Sequence, residues 1–104
     1  MKMLKAIIRP EKAQEILAKL AEAGFSAATR VSILGRGKQR GIKVGDIYYD
    51  EIPKELIMIV LEDADIEKAQ KIIVETAKTG KKGSFGDGKI FIMPVERAVT
   101  ISKA

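Results

Sequence analysis

Four residues near the C-terminal end, Gly86-Asp87-Gly88-Lys89, run straight into the apolar segment Ile90-Phe91-Ile92-Met93, and a cationic stretch, Gly80-Lys81-Lys82-Gly83, lies just before them. Glycine lets a backbone turn with positive φ and approach a ligand closely, exposed N–H groups can line up on an anion, and lysine adds a mobile positive charge. That combination suits phosphate. It also describes a tight turn entering a strand, and the four residues alone leave both readings open. A second glycine-rich, basic stretch lies earlier, with Gly35, Gly37, Gly41 and Gly45 interleaved with Arg36, Lys38, Arg40 and Lys43. It leads into the acidic, aromatic run Asp46-Ile47-Tyr48-Tyr49-Asp50-Glu51. Compact domains seldom keep a connection this long without a use for it.

The rest of the composition narrows the chemistry. The chain has 104 residues, enough for a single domain over 1–104 with one core. It contains no cysteine and no histidine, which removes disulfides, thiol nucleophiles, soft-metal sites and the commonest acid–base side chain. A net charge of +5 is compatible with nucleic acid, an anionic ligand or plain solubility. Nucleic acid is disfavoured: the only aromatics are Phe25, Tyr48, Tyr49, Phe85 and Phe91, and they do not alternate as a base-stacking platform would require. No apolar run nears the ~20 residues of a membrane span. Charges interrupt the start, Met1-Lys2-Met3-Leu4-Lys5, too often for a signal-peptide core. A cytoplasmic protein without membrane insertion is expected.

The elements that must position the two loops can be read from periodicity. Met3 to Arg9 alternates, with Leu4, Ala6 and Ile8 on one face, and Pro10 closes the strand. Ala13, Ile16, Leu17, Leu20 and Ala21 follow helical spacing from Glu11 to Ala23, with Gly24 at the stop. Ala28 to Leu34 alternates again and ends at Gly35. Leu56-Ile57-Met58-Ile59-Val60-Leu61 is a continuous apolar run, expected for a central strand covered on both faces. Asp63 or Asp65 is expected to cap a second helix reaching about Thr79, with Ile66, Ala69, Ile73 and Ala77 inward. A strand over Ile90 to Met93 follows, and Ala98-Val99-Thr100-Ile101 reads as a short final one. The order β-α-β-β-α-β is an α+β, ferredoxin-like arrangement.

Such a fold serves many functions, so the loops must decide. Ala6-Ile7-Ile8-Arg9-Pro10, Gly35-Arg36-Gly37-Lys38-Gln39-Arg40-Gly41, Ile52-Pro53-Lys54 and Thr79-Gly80 through Gly86-Asp87-Gly88-Lys89-Ile90-Phe91 occur in this order along nearly the whole chain. In these motifs the sequence resembles the PII family of nitrogen-regulatory signal proteins. The compact segment ending Tyr49-Asp50-Glu51-Ile52-Pro53-Lys54 resembles the archaeal, nitrogenase-associated branch called NifI.

The resemblance implies a trimer that binds ATP or ADP in clefts between subunits, with 2-oxoglutarate and Mg²⁺ as further ligands. It implies nucleotide contacts at Ile7, Thr29, Gly35, Arg36, Gly37, Lys38, Gln39, Ile59, Val60, Gly86, Asp87, Gly88 and Lys89. Thr29, Ile59 and Val60 match positions near the adenine. For 2-oxoglutarate it implies Gln39, Arg40, Gly41 and Lys54, and for Mg²⁺ it implies Gln39. A dicarboxylate wants a cation and backbone donors, and Mg²⁺ prefers oxygen ligands shared with phosphates. The branch implies a non-enzymatic regulator, a homotrimer or a hetero-oligomer with a PII paralogue, that inhibits nitrogenase by direct contact until 2-oxoglutarate and ATP relieve it. The tip Ile47, Tyr48 and Tyr49 would supply the docking area. Regulation of an ammonium transporter or a metabolic enzyme is the alternative within the fold. A small phosphate-ester or acyl-phosphate hydrolase, assisted by Asp87 and Lys89, is the alternative outside it.

Three departures from the family pattern stand out. The long loop is shorter than in better-known members and lacks a tyrosine at a clear uridylylation position. The phosphate loop carries extra residues within Lys82 to Phe85. Thr100 and Ser102 stand where typical members carry phosphate-contacting arginines, which removes charge-assisted, bidentate bonding.

Overall fold

The computed structural model describes residues 1–36, 42–44, 47–49 and 51–104. Strands β1 (Lys2–Ile8), β2 (Ala28–Gly35), β5 (Ile52–Leu61) and β6 (Gly88–Pro94) form one sheet in the order β2-β5-β1-β6, with every neighbouring pair antiparallel. Helices α1 (Pro10–Glu22) and α2 (Ile66–Ala77) pack on one face of it. This is the expected α+β ferredoxin-like fold. Strands β3 (Ile42–Val44) and β4 (Ile47–Tyr49) form a separate antiparallel pair, where the sequence reading expected only a long loop.

The core follows from the alternation. Leu4, Ala6 and Ile8 of β1 are buried against Ala13, Ile16 and Leu20 of α1 and Ala69 and Ile73 of α2. Pro10 both ends β1 and begins α1: it has no N–H to lose in a first turn, and Arg9 before it is held extended at φ −66°, ψ 138°. The helix closes in a Schellman arrangement. Gly24 lies at φ 94°, its N–H bonds the Ala21 carbonyl at 3.0 Å, and the Phe25 N–H bonds the Leu20 carbonyl at 2.8 Å.

Four expectations need correction. The apolar run in β5 is central in the sheet, but this chain covers it on one face only: Glu55, Ile57, Ile59 and Leu61 are buried, while Val60 is exposed on the other face. The expected aspartate cap of α2 is not made. Asp65 occupies the cap position with helical angles, φ −96° and ψ −10°, whereas a capping side chain needs an extended backbone to reach forward. Asp63 lies in a 3-10 turn and is taken by the N-terminal amine at 2.8 Å. The helix stops at Ala77 rather than near Thr79, because Lys78 is extended and Thr79 gives its amide and hydroxyl to Asp87. The final strand over Ala98–Ile101 does not form. After Val95 bonds the Met1 carbonyl the chain leaves the sheet edge, and Ile101–Lys103 makes a 3-10 turn.

Candidate phosphate-binding loop

The ends of β1, β2, β5 and β6 meet at one edge of the molecule. Ile8 faces Gly88 and Glu55, Ile7 faces Lys89 and Leu56, and Gly35 faces Ile52. The loop between α2 and β6 closes over this edge, and one residue organises it. The Asp87 carboxylate accepts from the Thr79 amide at 2.9 Å, the Thr79 hydroxyl at 2.5 Å, the Ser84 amide at 2.8 Å, the Ser84 hydroxyl at 3.4 Å and Arg9 Nε at 3.2 Å. Burial pushes this carboxyl up, but the Thr79, Ser84 and Arg9 hydrogen bonds outweigh it and hold Asp87 well below the usual carboxylate range. Asp87 therefore serves the loop from within. Its own N–H bonds the Ser84 carbonyl at 3.2 Å.

Two cations reach the loop from elsewhere. Arg9, at the junction of β1 and α1, donates through Nη2 to the Phe85 carbonyl at 2.7 Å and to Ser84 Oγ at 3.4 Å. Lys54, near the start of β5, donates through Nζ to the Gly86 carbonyl at 2.6 Å. Burial, then the neighbouring Arg9 charge, lowers the Lys54 pKa, with Glu11 and Asp87 pulling it back up. On the helix face beside Lys54, Glu55 is buried and holds Arg30 at 3.3 Å and Ser32 at 3.1 and 3.2 Å. The hydrogen bond from Arg30 leads in lowering the Glu55 pKa.

Gly88 is a fixed point. Its φ is +127°, and a Cβ there would meet the Ile7 carbonyl oxygen at 2.0 Å, so only glycine lets β6 start this close to β1. Beneath the loop, between α2 and β6, a cleft of about 780 Å³ has apolar walls from Ile73, Val74, Ala77 and Ile90. Lys82, Phe85 and Lys89 also line it. Phe85, within the extended part of the loop, is 76% exposed.

The sequence-expected residues divide into three groups. Ile7, Gly35, Lys54, Gly86, Asp87, Gly88 and Lys89 are brought to one end of the sheet, and Arg36 follows directly on Gly35. Thr29 pairs with Met58, and Ile59 and Val60 pair with Leu4 and Met3, toward the opposite end. At about 3.3 Å per strand residue, Val60 lies about 20 Å along β5 from Lys54, so one chain does not place the adenine set beside the loop. The Ile59 side chain points into the core and is 3% exposed, leaving only its backbone to a ligand. Gly37, Lys38, Gln39, Arg40 and Gly41 lie outside the described residues. So do the side chains of Ile47, Tyr48 and Tyr49, whose backbone forms β4.

Sequence reasoning missed the part played by Arg9. Its position before Pro10 was noted, yet its partners are up to 78 residues away in the chain and leave no local signal. Among the described residues no group of three or more acidic side chains is placed to hold a metal ion. The residue expected for Mg²⁺, Gln39, is outside them. No helix among the described residues is long and apolar enough to cross a membrane.

Comparison with known proteins agrees with this geometry. The chain is 54% identical over 101 residues, 97% of its length and 93% of the relative's, to nitrogen fixation nifHD region GlnB-like protein 1 of Methanothermobacter marburgensis. It is 52% identical over 101 residues, with the same coverage, to the corresponding protein of Methanococcus maripaludis. It is 50% identical over 102 residues, 98% of this chain and 94% of the relative, to nitrogen fixation nifHD2 region GlnB-like protein 1 of Methanosarcina barkeri. The profile of the nitrogen regulatory protein P-II family matches residues 1–104. On this evidence the chain belongs to the P-II family, on the branch of the archaeal nifHD-region GlnB-like proteins.

Proposed function

We propose that this protein is a cytoplasmic, non-enzymatic sensor of nitrogen status that binds ATP or ADP at the Asp87-centred loop and 2-oxoglutarate near Lys54, and that controls nitrogenase by direct contact. The observation that carries the reading is the loop itself. Its carboxylate is tied inward, two of its carbonyls are held by cations, and Lys89 with the glycine backbone around it remains to meet phosphate. When bound, Mg²⁺ would neutralise phosphate charge and be shared with Gln39, while Lys54 offers a cation to a carboxylate.

The distance between the adenine set and the loop supports a cleft completed by a second chain, in a homotrimer or in a hetero-oligomer with a PII paralogue. The exposed apolar side chains on the open sheet face, Val31, Val60 and Phe91, favour the same arrangement. The loss of arginines at Thr100 and Ser102 makes the loop's own cations more important. Binding of ligand would bias the hairpin β3–β4 between a docked and a released state through differential affinity. The names of the relatives, which refer to nifHD regions of nitrogen fixation, support nitrogenase as the partner. The test is inhibition of nitrogenase by the purified protein with and without 2-oxoglutarate plus ATP. Inhibition relieved by the two ligands is expected, and no effect on nitrogenase under any combination, including a mixture with the paralogue, would contradict the assignment.

A further inference from the structure

Two side chains that the expected nucleotide contacts do not include, Arg9 and Lys54, converge on consecutive carbonyls of the phosphate loop. Arg9 Nη2 lies 2.7 Å from the Phe85 oxygen and Lys54 Nζ lies 2.6 Å from the Gly86 oxygen. The chain has no cis peptide among its described residues, so a carbonyl held inward turns the following N–H the other way. Pinning Phe85 therefore aims the Gly86 N–H away from the guanidinium. A free carbonyl at either position would instead turn a negative dipole toward an arriving anion.

The two prongs also close the loop onto different elements. Arg9 is fixed by the strand-to-helix turn at Pro10, and it grips Asp87 as well as Phe85. Lys54 stands on β5 opposite Ile33, and its Cγ would lie 3.4 Å from a Cβ at Gly35, at the root of the long connection. The Arg9 side chain is 26% exposed and that of Asp87 16%, so the Arg9–Asp87 pair is partly sheltered from water.

We propose that Arg9 and Lys54 act as positioning residues, a two-pronged clasp that holds residues 84–87 in the shape that receives phosphate, and that Lys54 does so before any dicarboxylate is present. The inference rests on the nucleotide-binding reading above and deepens it. A lysine that only contacted 2-oxoglutarate would leave ATP binding alone unchanged. A clasp makes ATP binding depend on it throughout.

The experiment is calorimetric titration of the whole protein, without 2-oxoglutarate, by ATP and separately by tripolyphosphate. Wild type is compared with Lys54→Met, Lys54→Arg and Arg9→Met. Loss of one charged hydrogen bond predicts about a tenfold weaker affinity for both probes in Lys54→Met, with partial recovery in Lys54→Arg, and loss of the three Arg9 bonds predicts at least as large an effect in Arg9→Met. Unchanged ATP affinity in Lys54→Met and Arg9→Met would overturn the clasp.

A second readout needs no ligand. In Arg9→Met the Thr79 and Ser84 amides, both bonded to Asp87, should exchange with solvent at least about tenfold faster while core amides of β1 and β5 do not change. Equal protection of the Thr79 and Ser84 amides in the variant and wild type overturns the clasp. If wild type binds neither probe, the nucleotide reading fails and the exchange measurement still decides whether the clasp exists.

Discussion

The molecule contains two basic, glycine-rich connections of similar composition and different backbone pairing. One, from Lys78 to Asp87, is knitted to the body by side chains: Thr79 and Ser84 to Asp87, Asp87 and Phe85 to Arg9, Gly86 to Lys54. The other, between β2 and β5, carries a hairpin whose strands pair with each other and, among the described residues, with no strand of the main sheet. Glycine and lysine content alone says nothing about which is which. In the first, distant side chains arrive to hold the loop; in the second, the described backbone pairs with itself. A held loop is suited to a small anion, because donors fixed in advance pay little ordering entropy on binding. A hairpin whose backbone pairs outside the main sheet is suited to presenting a surface to another protein.

The contrast can be broken most severely at Gly88. Gly88→Ala places a Cβ against the Ile7 carbonyl and forces an L residue to φ +127°, so β6 must shift or leave β1. A destabilisation of about 4 kcal/mol or more is expected, seen as a fall in Tm of more than about 10 °C or as loss of folded protein. A variant of native Tm would show that this close approach is not needed.

Asp87→Asn comes next. It keeps the shape but loses the charge that faces Arg9 and turns one acceptor into a donor facing other donors. About 1–3 kcal/mol of stability should be lost, with weaker ATP binding, measured by urea unfolding and calorimetry. Smaller still in stability is the double change Tyr48→Ser with Tyr49→Ser, expected within about 0.5 kcal/mol of wild type because β4, among the described residues, pairs only with β3. It should abolish nitrogenase inhibition and leave ATP affinity unchanged, separating the two loops by function. Unchanged inhibition would remove the hairpin from the docking surface.

The smallest effect is the titration of Lys54. Burial and Arg9 lower its pKa below 10.5. Between the lowered value and 10.5 the unfolded chain binds more protons than the folded one, so this group's contribution to stability rises with pH there, even as the hold on Gly86 is lost. Following the Gly86 amide shift upward from neutral pH should give an inflection below 10.5. An inflection at or above that value would contradict the buried environment.

Much of the fold was legible because it is written locally: β1, α1 and α2 each show one buried face, β2 alternates and β6 is a short apolar run, in stretches that need no distant information. The hairpin was missed although Ile42-Lys43-Val44 and Ile47-Tyr48-Tyr49 flank Gly45-Asp46, a two-residue turn signal hidden by the glycines around it. The phosphate loop was legible as composition, but its construction was not. Arg9 and Asp87 are 78 residues apart and Lys54 and Gly86 are 32 apart, and no spacing rule joins them. Asp87 in particular was expected as a nucleotide contact by resemblance. Its carboxylate turned out to hold the loop together.

The central claim is that this clasped loop is half of a nucleotide site whose occupancy reports nitrogen status. Titrating ATP into the protein with and without 2-oxoglutarate, alone and mixed with its paralogue, tests it most directly. The account predicts saturable ATP binding that 2-oxoglutarate tightens, in the protein alone or in the mixture. Absence of ATP binding in both, with and without 2-oxoglutarate, would contradict it.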